Sequence, residues 1–223
     1  MVTIDELDEL IHDCPRLYHM AEPGSWPSIQ KLGLLSTTAL LDVYGVSGAE
    51  RTAIESARRS TSVRVEALGL SSAVVRDQLP MTDAGLQRCL TDGLTPKDWY
   101  ELLNSKVFFW LTRERLLRLM GAHTYRAGRH DVLVLDTRSL VDDHRDRIWL
   151  CPMNSGNTKP YPHPRGLSTF QRISDYPYSD WRGKRAAGER VVELCVDNKV
   201  RNVEHYVVEV LQNENIESLA GRI

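Results

Sequence analysis

Three short apolar segments each carry a residue able to do chemistry: Glu193 in Val191-Val-Glu-Leu-Cys-Val196, His19 in Leu17-Tyr-His-Met20, and the aromatic run Val107-Phe-Phe-Trp110. A glutamate inside an apolar strand either faces solvent or is committed to a buried site, where it needs partners. Sharing its face with Val191 and Cys195, Glu193 is a candidate catalytic carboxylate, of the kind that stabilises developing positive charge at low dielectric. A histidine on an apolar strand is commonly a hydrogen-bonded core residue; the functional alternative is a neutral imidazole of fixed tautomer. The aromatic run reads as core packing, with the alternative that Phe109 or Trp110 presents a flat wall to a planar, partly cationic ring. Strand parity decides between those two, and the sequence leaves it open.

Anions need a cation, best supplied by the bidentate fork of an arginine. Arg51 is one candidate, in competition with Arg58 and Arg59; Arg76, closing the apolar stretch Val74-Val-Arg76, is another. Each has the plain alternative of a solvated face or an ion pair. Between Arg165 and Arg190 six cations stand against three carboxylates, interleaved with Tyr176, Tyr178 and Trp181. Cations for phosphates and rings for bases make a single-stranded nucleic-acid platform, with Arg182 among the contacts; the alternative is a loop anchored by its aromatics. The turn Met153-Asn-Ser-Gly-Asn157 places Asn154 and Ser155 where they can line the same cleft.

The elements that must position these groups follow from pattern and punctuation. Thr3-Ile-Asp-Glu6 reads as a capping box opening a helix over residues 3–13, stopped by Pro15. A strand over residues 16–20 and a helix over 26–32, closed by Gly33, come next. Residues 47–60 read as helix and 73–76 as strand. Thr95-Pro-Lys-Asp98 caps a further helix, residues 107–111 form a buried strand, and Thr112 caps an amphipathic helix with Leu116, Leu117, Leu119 and Met120 inward. Strands are expected over 131–136, 147–150, 190–196 and 205–211. Residues 151–189 are a long structured loop bordering a site.

The whole is 223 residues, 42% hydrophobic and 26% charged, with a formal charge of −2 and pI about 6.4. One domain over residues 1–223 accounts for it, and near-neutrality confines any nucleic-acid contact to a local site. No apolar run approaches the roughly 18 residues of a membrane helix, and the acidic start Met1-Val-Thr-Ile-Asp-Glu6 is unlike a signal peptide, so a cytoplasmic protein without membrane contact is expected. Cys14, Cys89, Cys151 and Cys195 form no C-x-x-C pair and the histidines are dispersed, so structural thiols and no metal site are expected.

Taken in order, Leu17-Tyr-His-Met20 through Ile29-Gln-Lys-Leu-Gly-Leu-Leu35, Val107-Phe-Phe-Trp-Leu-Thr-Arg-Glu-Arg-Leu-Leu117, and Val192-Glu-Leu-Cys-Val196 with Val200 to Val208 after it resemble the ADP-ribosyltransferase fold. The likeness is greatest to the DarT-type branch that modifies DNA bases and to a related bacterial domain family of unassigned function. It implies an α+β domain with a split mixed β-sheet and helices mainly from the amino-terminal half. It further implies NAD as co-substrate, no metal, and a nucleic-acid base or nucleotide as acceptor; it also admits an antitoxin partner. Carried onto this sequence, it makes Glu193 and Arg51 catalytic. His19 and Tyr18, Phe109 or Trp110, Arg76, Asn154 and Ser155 would surround the NAD, with His19 on a ribose hydroxyl and Tyr176, Tyr178, Trp181 and Arg182 on the acceptor. A non-catalytic nucleotide-binding module and an NAD-dependent RNA 2′-phosphotransferase are the alternatives on the same fold.

Overall fold

The computed structural model describes residues 4–220. Helix α1 (Ile4–Asp13) buries Leu7, Leu10 and Ile11 and stops ahead of Pro15; the Thr3 cap expected for it lies outside the described residues. β1 (Arg16–Ala21) enters the core, and α2 (Trp26–Leu32) ends at Gly33. Gly33 has φ of 83°, and a Cβ there would lie 2.4 Å from the Val200 carbonyl oxygen, so this turn requires glycine. β2 (Leu34–Leu35), α3 (Thr37–Val43) and α4 (Gly48–Glu55) follow, then β3 (Val63–Val65) and β4 (Ala73–Val75), paired antiparallel. The helix expected over 47–60 ends at Glu55 because Arg59 turns inward: its guanidinium donates to the carbonyls of Ile54 and Arg76 and, at 3.0 Å, to Asn104 Oδ1.

After α5 (Asp83–Gln87), α6 (Pro96–Asn104) starts where the sequence predicts: Asp98 N–H donates to the Thr95 hydroxyl, and Thr95 N–H donates to the Asp98 carboxylate at 2.8 Å. β5 (Lys106–Trp110), α7 (Arg113–Met120) capped by Thr112, β6 (His130–Asp136), α8 (Thr137–His144) and β7 (Ile148–Cys151) come next. The long segment beyond Cys151 holds β8 (Gln171–Arg172) and α9 (Tyr178–Arg182), and β9 (Glu193–Asp197), β10 (Lys199–Val200), β11 (Val207–Glu214) and α10 (Ile216–Ala220) complete the described residues. Among the described residues no helix is long and apolar enough to cross a membrane.

The domain is α+β, built on a seven-stranded sheet of order β11-β6-β1-β5-β9-β7-β8. Every neighbouring pair in it is antiparallel, which corrects the expectation of a mixed sheet. β1 pairs with β6 along its full length but meets β5 at the single register pair Tyr18↔Trp110, so the sheet parts there into two halves. Alternation sends Leu17, Phe109, Leu133, Leu135, Leu194 and Val196 to one core face, against α1 and α8. The other face carries Val132, Val134, Cys151 and Cys195, packed against α6 and α7. A third small core, Leu41, Tyr44, Ile54, Val65 and Val75, makes a lobe of α3, α4 and the β3–β4 hairpin. All four cysteines are free and buried.

Candidate functional site

A cleft of about 690 Å³ opens where β1 and β5 diverge, between His19, Met20 and Phe108 on the sheet and the β3–β4 hairpin opposite. His19 Nδ1 lies 2.9 Å from the Phe108 carbonyl oxygen. A carbonyl only accepts, so Nδ1–H donates and Nε2 is left as an acceptor. Burial lowers this imidazole below its ordinary value, and Arg76 nearby adds to the effect. The ring is therefore neutral, with one tautomer held.

Hairpin parity places Arg76. Val65 and Val75 face the small core, so Arg64, Val74 and Arg76 face the cleft. Arg76 Nη1 is 3.3 Å from His130 Nδ1 and its guanidinium lies over the Tyr125 ring, 5.3 Å from the centroid. Among the described residues it has no carboxylate partner. Arg59 also borders the cleft, but each of its three guanidinium nitrogens donates to one of the interior acceptors given above, and burial pulls its pKa to about 10. Arg51 does not belong here: it pairs with Asp42 at 2.6 Å and Glu55 at 2.8 Å on α4, away from the cleft. The ion-pair alternative describes it, and its place as a catalytic residue is corrected.

Glu193 lies elsewhere. The register Tyr18↔Trp110↔Glu193↔Cys151 puts these four on one face of the sheet, and His19 and Phe109 on the other. Parity is thus resolved: Trp110 shares the carboxylate's face, while Phe109 is buried behind His19, ring centroids 5.7 Å apart, and is no wall of a site. Tyr18 points into the groove beside Arg113 and Leu116, not into the cleft. Both Glu193 oxygens accept from the Ser155 amide at 3.2 Å. Burial raises this carboxyl to about 7, opposed by the Ser155 bonds and by the charges of Arg165 and Arg115. Burial, with Glu193 alongside, lifts the Cys151 thiol well above its ordinary value, which disfavours the thiolate.

Asn154 and Ser155 therefore accompany Glu193 and not the cleft; Asn154 Oδ1 accepts from Gly156 N–H at 3.1 Å, tightening the turn over the carboxylate. Arg165, 2% exposed, ties the segment down by donating to the carbonyls of Ser155 and Asn157, each at 2.8 Å. The expected aromatic platform is corrected. Tyr176 and Tyr178 are buried, donating to the Arg190 carbonyl and to Asp13, and Trp181 packs on the core. Arg182 is paired with Glu9. These rings anchor the loop, as the plainer alternative has it.

One exposed ring escapes the sequence reading: Tyr161, 78% exposed, at the rim of a basin of about 640 Å³ that also takes in Asn154, Lys159 and Arg185. Its signal in the sequence is Pro160-Tyr-Pro-His-Pro164, a proline at every second position.

Residues 15–207 match a protein family described as a family of unknown function (DUF7002). The chain belongs to that family. The DUF7002 match runs from just ahead of β1 to the first residue of β11, so the cleft, the buried glutamate and the proline-framed loop all lie within it. No curated protein and no solved structure matches the chain.

Proposed function

We propose that the chain is a mono-ADP-ribosyltransferase that takes NAD as co-substrate and transfers ADP-ribose to a nucleic-acid base or nucleotide. The observation that carries this reading is the split in the sheet. A neutral imidazole and a guanidinium without a carboxylate partner look into the gap, and the residue row at its apex leads through Trp110 to Glu193. His19 and Glu193 stand two strands apart, roughly 10 Å, within the span of one dinucleotide.

The residues in the cleft suit such a substrate. His19 Nε2 accepts from a ribose hydroxyl, Arg76 donates to the diphosphate, and Met20 and Phe108 give apolar wall. Glu193, ionised, faces the positive charge that builds on the ribose as the C1′–N bond breaks and its electron pair leaves with nicotinamide. The lone pair of the acceptor forms the new bond to C1′, and the proton that the acceptor loses goes to the Glu193 carboxylate. A pKa of about 7 suits that acceptance at neutral pH. In this account the Glu193 side chain leaves the Ser155 amide when substrate binds, while Arg165 keeps the turn itself in place.

The test supplies NAD labelled in its adenylate phosphate with single-stranded DNA, RNA and protein acceptors. Label is expected on nucleic acid with the wild type, and none with Glu193→Gln, which still binds NAD. No transfer to any acceptor with Glu193 intact would sink the proposal. A second reading, a non-catalytic nucleotide-binding module, draws support from the Ser155 cover on Glu193 and from its position across the sheet from His19. Such a module binds NAD or a nucleotide in a calorimeter and leaves it intact.

A further inference from the structure

We propose that the basin beside Glu193 binds single-stranded nucleic acid, with the Tyr161 ring stacked on a base and Lys159 and Arg185 on the flanking phosphates. An exposed ring alone says little, since single apolar groups are common on surfaces. This one is held out by its backbone. Pro160, Pro162 and Pro164 fix φ on both sides of Tyr161 and at alternate positions, and Arg165 pins the end of the segment to three carbonyls, those of Ser155, Asn157 and His163. The backbone that carries the ring is thus restricted before any ligand arrives, which lowers the entropy loss of binding.

The charges around it point the same way. Arg115 is neutralised by Glu189, but among the described residues Lys159 and Arg185 have no carboxylate partner. Lys159 Nζ reaches only a carbonyl, that of Leu79 at 3.2 Å; the Arg185 guanidinium lies over Trp181, 4.4 Å from the ring centroid, with Nη1 donating to the carbonyls of Pro152 and Glu189 and its other N–H groups left for a ligand. Two cations without a carboxylate partner and an exposed ring, with Asn154 and Asn157 beside them in one basin, are the groups that a nucleic-acid strand needs for its phosphates and bases. DNA and RNA share that chemistry. The site stands on its own geometry; its role as the acceptor site rests on the transferase reading, because the Asn154–Ser155 turn that covers Glu193 also lines the basin.

The experiment omits NAD. Binding of fluorescent oligothymidylate and oligouridylate, each about ten nucleotides long, is followed by anisotropy at low and moderate salt. Wild type is expected to bind one or both, and whichever binds names the source. Tyr161→Ala should weaken binding about tenfold or more. Lys159→Ala should reduce the slope of log affinity against log salt by about 0.7. Both side chains are exposed, and an unchanged thermal midpoint confirms the fold. Binding of neither oligonucleotide at low salt, or binding unaltered in both variants, overturns the proposal. NAD consumption with water as acceptor, measured separately, distinguishes this failure from failure of the transferase reading.

Discussion

Burial lifts Glu193 to about 7 while a free glutamate titrates near 4.5, and that gap has a consequence for stability. Between those values the unfolded chain has released its proton and the folded chain still holds it. The Glu193 contribution to stability therefore falls as pH rises from about 4.5 to 7, by about 3 kcal/mol in all, and is level above. Glu193→Gln keeps the shape and an acceptor for Ser155 N–H without the titration. Denaturant unfolding should find the variant more stable than wild type by up to about 3 kcal/mol at pH 8 and nearly equal to it at pH 4.5. The comparison cancels His19, His130 and His144, whose lowered values act in the opposite sense in both proteins. A difference independent of pH would refute the buried, proton-holding state. The two arginine candidates are separable as well. Arg76→Ala should weaken NAD binding at least about tenfold by calorimetry, whereas Arg51→Ala, which breaks an α4 ion pair, should leave it unchanged; the reverse result would relocate the anion site. The types and spacing of Glu193 and His19 mark them in the sequence, because a charge in an apolar strand demands an explanation. The burial of Tyr176 and Tyr178 is not marked, since a loop tyrosine has the same local pattern whether it stacks on a ligand or bonds a neighbouring carbonyl.

Elements whose cause is local are legible. The α6 cap needs only Thr95 and Asp98, three residues apart, and Thr95→Ala should cost about 1 kcal/mol in unfolding free energy. Gly33 closes α2 as the sequence suggests, but its full constraint is long-range: the Val200 carbonyl lies where a side chain would begin. Gly33→Ala combines that clash with a positive φ and should destabilise by about 2 kcal/mol or more, read as a shift in denaturant midpoint; a loss below about 0.5 kcal/mol would mean the two segments part easily. The early end of α4 is illegible for the same reason, since Arg59 turns inward to reach Asn104, far along the chain. Residues 152–165 are a loop by composition, yet Arg165 ties them back on themselves through the carbonyls of Ser155, Asn157 and His163.

At the scale of the molecule, alternation within a strand tells which residues share a face but not which strands face alike. That depends on register, and register is set by contacts between distant segments. Hence Glu193 and His19 can be nominated from the sequence, whereas their placement on opposite faces, joined through the single pair Tyr18↔Trp110, emerges only from the fold. The same limit hides the antiparallel sense of the sheet. Two of the domain's hollows bear on the proposed reaction: a cleft in the sheet's split carrying His19 and Arg76, and a basin beside the covered glutamate carrying Tyr161, Lys159 and Arg185. The proposed reaction needs both, with NAD reaching from one toward the other. The most direct test is the release of nicotinamide from NAD by the purified protein, followed by chromatography with single-stranded nucleic acid present. The account predicts release by the wild type that Glu193→Gln abolishes; NAD recovered intact from the wild type, or equal release by the variant, would contradict it.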